Sequence, residues 1–118
     1  IVKKTGVLDE DFFFGPEDIE HAFRLKKYGD MLVNLNYHVY HKVSQSIHVS
    51  GVESRIYFET LGWLTLIKKV CSFQDKVIGY SFFIIRGFYH LIRLIYKKDK
   101  RAHKGFVSGI KDFFFKNN

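Results

Sequence analysis

The sequence predicts an α/β fold, and three observations predict it. Two short strand-like runs, Met31–Leu35 and Tyr37–His41, follow an amphipathic stretch that opens at Pro16. From Glu53 onward the apolar residues recur at helical spacing. The chain also divides by charge: residues 1–60 carry seven Lys/Arg against nine Asp/Glu, and residues 61–118 carry twelve against three. The expected organisation is a mixed α/β portion over residues 1–50, then a basic, aromatic helical extension over residues 51–118.

Each element has a local reason. Residues 1–14 mix β-branched and aromatic side chains with charges and read as extended or loop. Pro16 suits the first turn of a helix, and Glu17, Asp18 and Glu20 follow where the macrodipole favours acids. Ile19, Ala22 and Phe23 give that helix one apolar face through about Tyr28, and Gly29 is a natural stop. After the two strand-like runs, "VSQSIHVSGVES" is polar and loop-like. Residues 54–70 predict an apolar helix, weakened at Gly62 by about 1 kcal/mol relative to Ala. Residues 76–97 predict a second helix, whose Arg86, His90, Arg93 and Lys97 form one narrow polar stripe. A third is predicted at 102–115, after the basic turn "KKDKRAHK".

At 118 residues the chain is one domain at most. Hydrophobic residues at 47% and aromatics at 18% exclude a disordered chain. Cys71 stands alone, which excludes an internal disulfide. The first residues do not read as a signal peptide, and the only methionine is Met31. The expectation is a segment of a longer polypeptide.

The densest chemistry lies in "DEDFFFGPEDIE", where six carboxylates fall within twelve residues around three phenylalanines. A calcium loop is excluded, because Phe14 stands where the EF-hand pattern needs glycine and Phe13 where it needs a ligand. Two readings stay open. The acids at 17, 18 and 20 stabilise a helix N-terminus, or one of them is a carboxylate placed to take a proton from a substrate hydroxyl.

The ordered series Gly6, Asp9-Glu10, Phe12–Phe14, Glu17-Asp18, Glu20, Arg24, Gly29, His41 and Ser46 resembles the carboxyl-terminal half of a family 2 glycosyltransferase domain, of GT-A fold and rhamnosyltransferase-like. The resemblance implies an acceptor-side half of an inverting enzyme that uses a nucleotide-sugar donor and a glycan or lipid-linked acceptor. Asp18 would be the general base and Glu17 its neighbour orienting the acceptor. Phe12, Phe13 and Phe14 would wall the acceptor and restrict water. Glu20 and Arg24 are expected to form an i,i+4 pair that holds the helix.

His41 would be either a ligand to a divalent Mn or Mg ion or a residue capping a strand. His38 and His48 are expected at the surface or core edge. "IYFETLGWLTLIKK" is similar to the helix that follows the catalytic domain, with Leu61-Gly62 in place of the family's Arg-Asn pair. "HKGFVSGIKDFFF" is similar to its closing helix, which places Asn118 near a natural end. The donor-binding half has no counterpart here, so the chain is expected to be inactive alone.

The basic half predicts an anionic membrane surface as partner, at the cytoplasmic face. Arg86, His90 and Arg93 argue against a spanning helix at 77–96, since each central charge costs about 2.5–3.5 kcal/mol on insertion scales. An interfacial helix, or one packed on a neighbour with its stripe outward, fits better. Nucleic acid is set aside as a partner, because no groove-reading motif accompanies the charge. A non-enzymatic, membrane- or anion-binding helical module is the alternative function.

Overall fold

The computed structural model describes residues 2–13, 15–32, 34–40 and 47–115, with residues 2 and 47–50 described by backbone alone. Among them are five helices: α1 (Val2–Thr5), α2 (Glu17–Lys26), α3 (Ile47–Val70), α4 (Phe73–Lys97) and α5 (Lys100–Phe115). The described residues contain no strand, so the expected α/β architecture of GT-A type is not formed. The fold is all-helical.

The strand-like runs fail for want of partners. Leu32, Leu35, Tyr37, Val39 and Tyr40 are exposed, with no neighbouring strand to take their backbone hydrogen bonds. Asn34 also diverts the chain: its Oδ1 accepts from the Asn36 amide at 3.0 Å, a local turn between the two runs. The strand-like runs Met31–Leu35 and Tyr37–His41 have no sheet to join among the described residues.

Helices α4 and α5 start where side chains cap them. Ser72 caps α4 reciprocally, its Oγ accepting from the Asp75 amide and donating to Asp75 Oδ2 at 2.6 Å. Asp99 Oδ1 accepts from the Ala102 amide at 3.1 Å and opens α5. Both helices therefore begin two or three residues earlier than the expected 76 and 102. Helix α3 leaves helical geometry at Gly51 (φ 73°, ψ 162°), a conformation that glycine adopts without steric cost.

The core sits between α3 and α5, joined by Phe83 of α4. Ile56, Leu64, Ile67, Phe83, Ala102, Phe106 and Phe113 form one buried cluster. Two glycines let α5 approach α3 closely. A Cβ on Gly109 would lie 2.8 Å from the Tyr57 carbonyl oxygen, and one on Gly105 would collide with the Glu53 carbonyl. This is the small-xxx-small spacing that brings helix backbones together. Polar ties flank the crossing: Tyr57 donates to Asp112 at 2.8 Å, and Lys104 pairs with Glu53 at 2.8 Å.

Helix α4 is joined to this pair along its polar side. Arg86 reaches Glu59 of α3 at 3.3 Å, His90 is buried and stacked 4.5 Å from the Phe106 ring, and Arg93 pairs with Asp99 at 2.6 Å. The stripe expected to face outward faces inward, apart from Lys97, which is exposed. Its apolar side is left outward: Val77, Ile78, Phe82, Ile84, Ile85, Phe88, Ile92 and Ile95 are all at least half exposed. The radius of gyration is 16.5 Å, against about 13.5 Å for a compact chain of this length. The apolar side of α4 is therefore not folded away.

Candidate functional site

The chain before α2 is held to the helix by Arg24, in its last turn. Its Nε donates to Glu20 Oε2 at 2.9 Å, making the expected i,i+4 pair. Its two terminal nitrogens reach further, one to the Thr5 carbonyl and the other to the Val7 carbonyl at 2.8 Å. The same guanidinium lies 3.2 Å from His21 Nδ1, which faces it as an acceptor. Between the two bound carbonyls, Gly6 takes φ 72°. One planar cation thus straps residues 5–7 onto α2, which its fork of donors makes geometrically specific.

A second cation answers the acids upstream. Lys69, from the last turn of α3, pairs with Asp9 at 2.7 Å and with Asp11, and its Nζ lies 5.6 Å from the centre of the Phe12 ring. The Lys69 hydrogen bond, against partial desolvation, holds Asp9 below the usual carboxylate pKa. Burial pulls Lys69 down, but its hydrogen bonds to Asp11 and Asp9 outweigh that and raise it. Both groups are charged at neutral pH. Asp9 is therefore committed to an ion pair, which lowers its availability as a base.

Asp18 is differently placed. It is exposed, and its Oδ1 accepts only from the neighbouring Ile19 amide at 2.8 Å. Glu17 beside it is half-buried, and its Oε2 is shut off from solvent with no hydrogen-bond partner among the described residues. An unpaired buried acceptor is costly, so this oxygen is disposed to take a donor from elsewhere. Pro16 is buried, and Gly15 approaches the α3 backbone at Glu59, which fixes where Glu17 and Asp18 emerge.

The three phenylalanines do not share one surroundings. Phe12 is buried beneath Lys69, whereas Phe13 is exposed and leans on Phe58, with ring centres 4.7 Å apart. Phe14, His41 and Ser46 lie outside the described residues. His38 is exposed, and His48 is described by backbone alone. Among the described residues no three His, Cys, Asp or Glu side chains gather as a metal site.

Sequence reasoning found the α2 acids and the Glu20–Arg24 pair. It missed Lys69, which meets Asp9 from 60 positions away. It also missed the cluster Arg55–Glu59–Arg86, although the i,i+4 spacing of Arg55 and Glu59 signalled half of it. No protein-family model, characterised protein or solved structure matches the chain.

Proposed function

We propose that the chain is the acceptor-side portion of an inverting glycosyltransferase, acting on a nucleotide-sugar donor and a glycan or lipid-linked acceptor. The ordered series from Gly6 to Ser46 carries this reading. It is supported by the way Arg24 joins Glu20 to the carbonyls on either side of Gly6, with Asp18 left exposed on the first turn of the same helix. Asp18 takes the proton of the acceptor hydroxyl as that oxygen attacks the anomeric carbon, and the nucleoside diphosphate departs from the opposite face with the bonding electrons. Glu17, through its unpartnered oxygen, accepts a second hydroxyl of the acceptor and orients it. The donor is bound by a segment or chain outside residues 1–118, so this chain alone is silent.

The test belongs in the polypeptide that joins this segment to its donor-binding half. Asp18→Asn is expected to lower turnover by about 10²–10⁴-fold, the usual contribution of a general base, with donor affinity unchanged. If Asp18 only compensates the α2 macrodipole, the same substitution costs at most about 1 kcal/mol of stability and leaves turnover intact. Glu17→Gln, which removes the adjacent charge, separates a helix-end effect from loss of the base.

A second reading, a non-enzymatic module that binds an anionic membrane at the cytoplasmic face, is favoured by one observation. Helix α4 is long and apolar enough to cross a bilayer, and only a small share of it is buried. Its 25 residues extend about 37 Å, against roughly 30 Å of hydrocarbon. Spanning would carry Arg86, Arg93 and their partners Glu59 and Asp99 into the lipid. Lying in the interface leaves those pairs on the protein side and gives the apolar face to the acyl chains. The second reading requires this placement and the first only allows it, and the Asp18→Asn measurement divides them.

A further inference from the structure

Between α3 and α4 lies an open cavity of about 530 Å³ whose lining is of two kinds. Half of the lining residues are apolar or aromatic: Val52, Ile56, Phe82, Ile85 and Tyr89. The others are Arg55, Arg86, Arg93 and His90 against a single carboxylate, Glu59. That carboxylate is shared, Arg55 meeting Oε1 at 2.8 Å and Arg86 meeting Oε2 at 3.3 Å. Two guanidiniums with one counterion keep unused donors. Arg93 adds another: its Nε is buried without a hydrogen-bond partner, although the group pairs with Asp99. His90 is 3% exposed, and its Nδ1 also lacks a partner.

Buried donors without acceptors are costly and are ordinarily satisfied. Three guanidiniums converging on one space favour an oxyanion with several acceptors, which phosphate supplies. A free phosphate, however, leaves the apolar wall unused. The volume is that of a site for a larger molecule. The apolar wall is also continuous with the outward face of α4, through Phe82 and Ile85 to Ile78 and Ile92.

We propose that this cavity binds one phosphate-headed lipid, its phosphate on Arg55, Arg86 and Arg93 and its hydrocarbon chain along Phe82 and Ile85. The site deepens the interfacial placement of α4 and is independent of any chemistry at Asp18. A single lipid held this way gives the helix a specific headgroup contact that a bare apolar face lacks.

Calorimetric titration of the 118-residue chain with soluble short-chain probes tests it. Dioctanoyl phosphatidic acid is expected to saturate one site at least about tenfold more tightly than dioctanoylglycerol, which lacks the hydrogen bonds to charged groups, or inorganic phosphate, which lacks the chains to bury. Arg86→Gln and Arg93→Gln should each weaken it by a similar factor. Those arginines also hold helices together, so Ile85→Glu supplies a second variant at an exposed lining position. It should weaken phosphatidic acid binding with an unaltered circular dichroism spectrum, while Lys76→Gln, outside the cavity, leaves binding as it was. Equal affinity for dioctanoylglycerol overturns the phosphate, and equal affinity for inorganic phosphate overturns the lipid. Binding to neutral vesicles without a phosphatidic acid site overturns the cavity assignment alone and leaves the interfacial helix standing.

Discussion

Arg24 holds four acceptors, Glu20, His21 and the Thr5 and Val7 carbonyls, and only arginine has the donors to do so. Lysine at this position keeps an ion pair with Glu20 but cannot also bridge the carbonyls of Thr5 and Val7. Arg24→Lys should therefore release the N-terminal strap and leave α2 in place. The group is part-exposed, so the expected local loss is about 1–2 kcal/mol, below the full value of such bonds when buried. Hydrogen exchange reads it directly: the Phe12 amide, bonded to the Asp9 carbonyl at 3.1 Å, should exchange about tenfold faster. Unchanged exchange at Phe12 would show that Lys69 alone holds the segment. The Glu20–Arg24 pair was legible in the sequence because it is four residues apart on one helix. The pairing of Lys69 with Asp9 and Asp11 was not, since no local rule selects one lysine among many so far along the chain.

At the scale of elements, the crossing of α3 and α5 depends on two missing side chains. Gly109→Ala places a methyl group against the Tyr57 carbonyl oxygen and the Thr60 side chain, and Thr60 is fully buried. Backbone cannot step aside as a flexible side chain does. The expected cost is about 1–3 kcal/mol, the usual range for overpacking, with Gly105→Ala at or above its upper end. Urea unfolding followed by circular dichroism measures both, and Gly29→Ala, at a site with open space, is the neutral comparison. The helices themselves were readable from period and composition, because each buries one face over several turns. Their starts at Ser72 and Asp99 were missed, although a serine followed three residues later by an acid is a legible cap. The strands at 31–40 were misread for a different reason. A strand is a property of a pair, and the sequence of one run cannot supply the other.

For the whole molecule, the decisive feature is the orientation of α4. Amphipathic spacing alone fixed two sides of the helix and left open which one meets the protein. The ionic partners Glu59 and Asp99, on α3 and at the start of α5, settle it by drawing Arg86 and Arg93 inward. Lys97, Lys98 and Lys100 remain exposed at the carboxyl end of the helix. The chain should accordingly float with liposomes, more with acidic lipid than with neutral. Each exposed lysine adds on the order of 1 kcal/mol at an anionic surface, and salt should weaken that increment. Ile84→Asp and Ile92→Asp, both on outward positions, should abolish flotation while leaving helix content unchanged. Flotation that survives both substitutions would place the membrane contact elsewhere.

An inverted helix also inverts the rules of tolerated variation. In a water-soluble protein the outward positions drift freely among polar residues and the inward ones stay apolar. Along α4 the opposite restriction holds. On the proposed interfacial placement, Ile78, Ile85, Ile92 and Ile95 can exchange among aliphatic and aromatic residues at little cost, since acyl chains would make no demand on their shape. Arg86, His90 and Arg93 cannot drift, because each is matched to one acid or one ring on a neighbouring helix. The helix would thus be inherited by its polar letters, with its apolar ones left to wander.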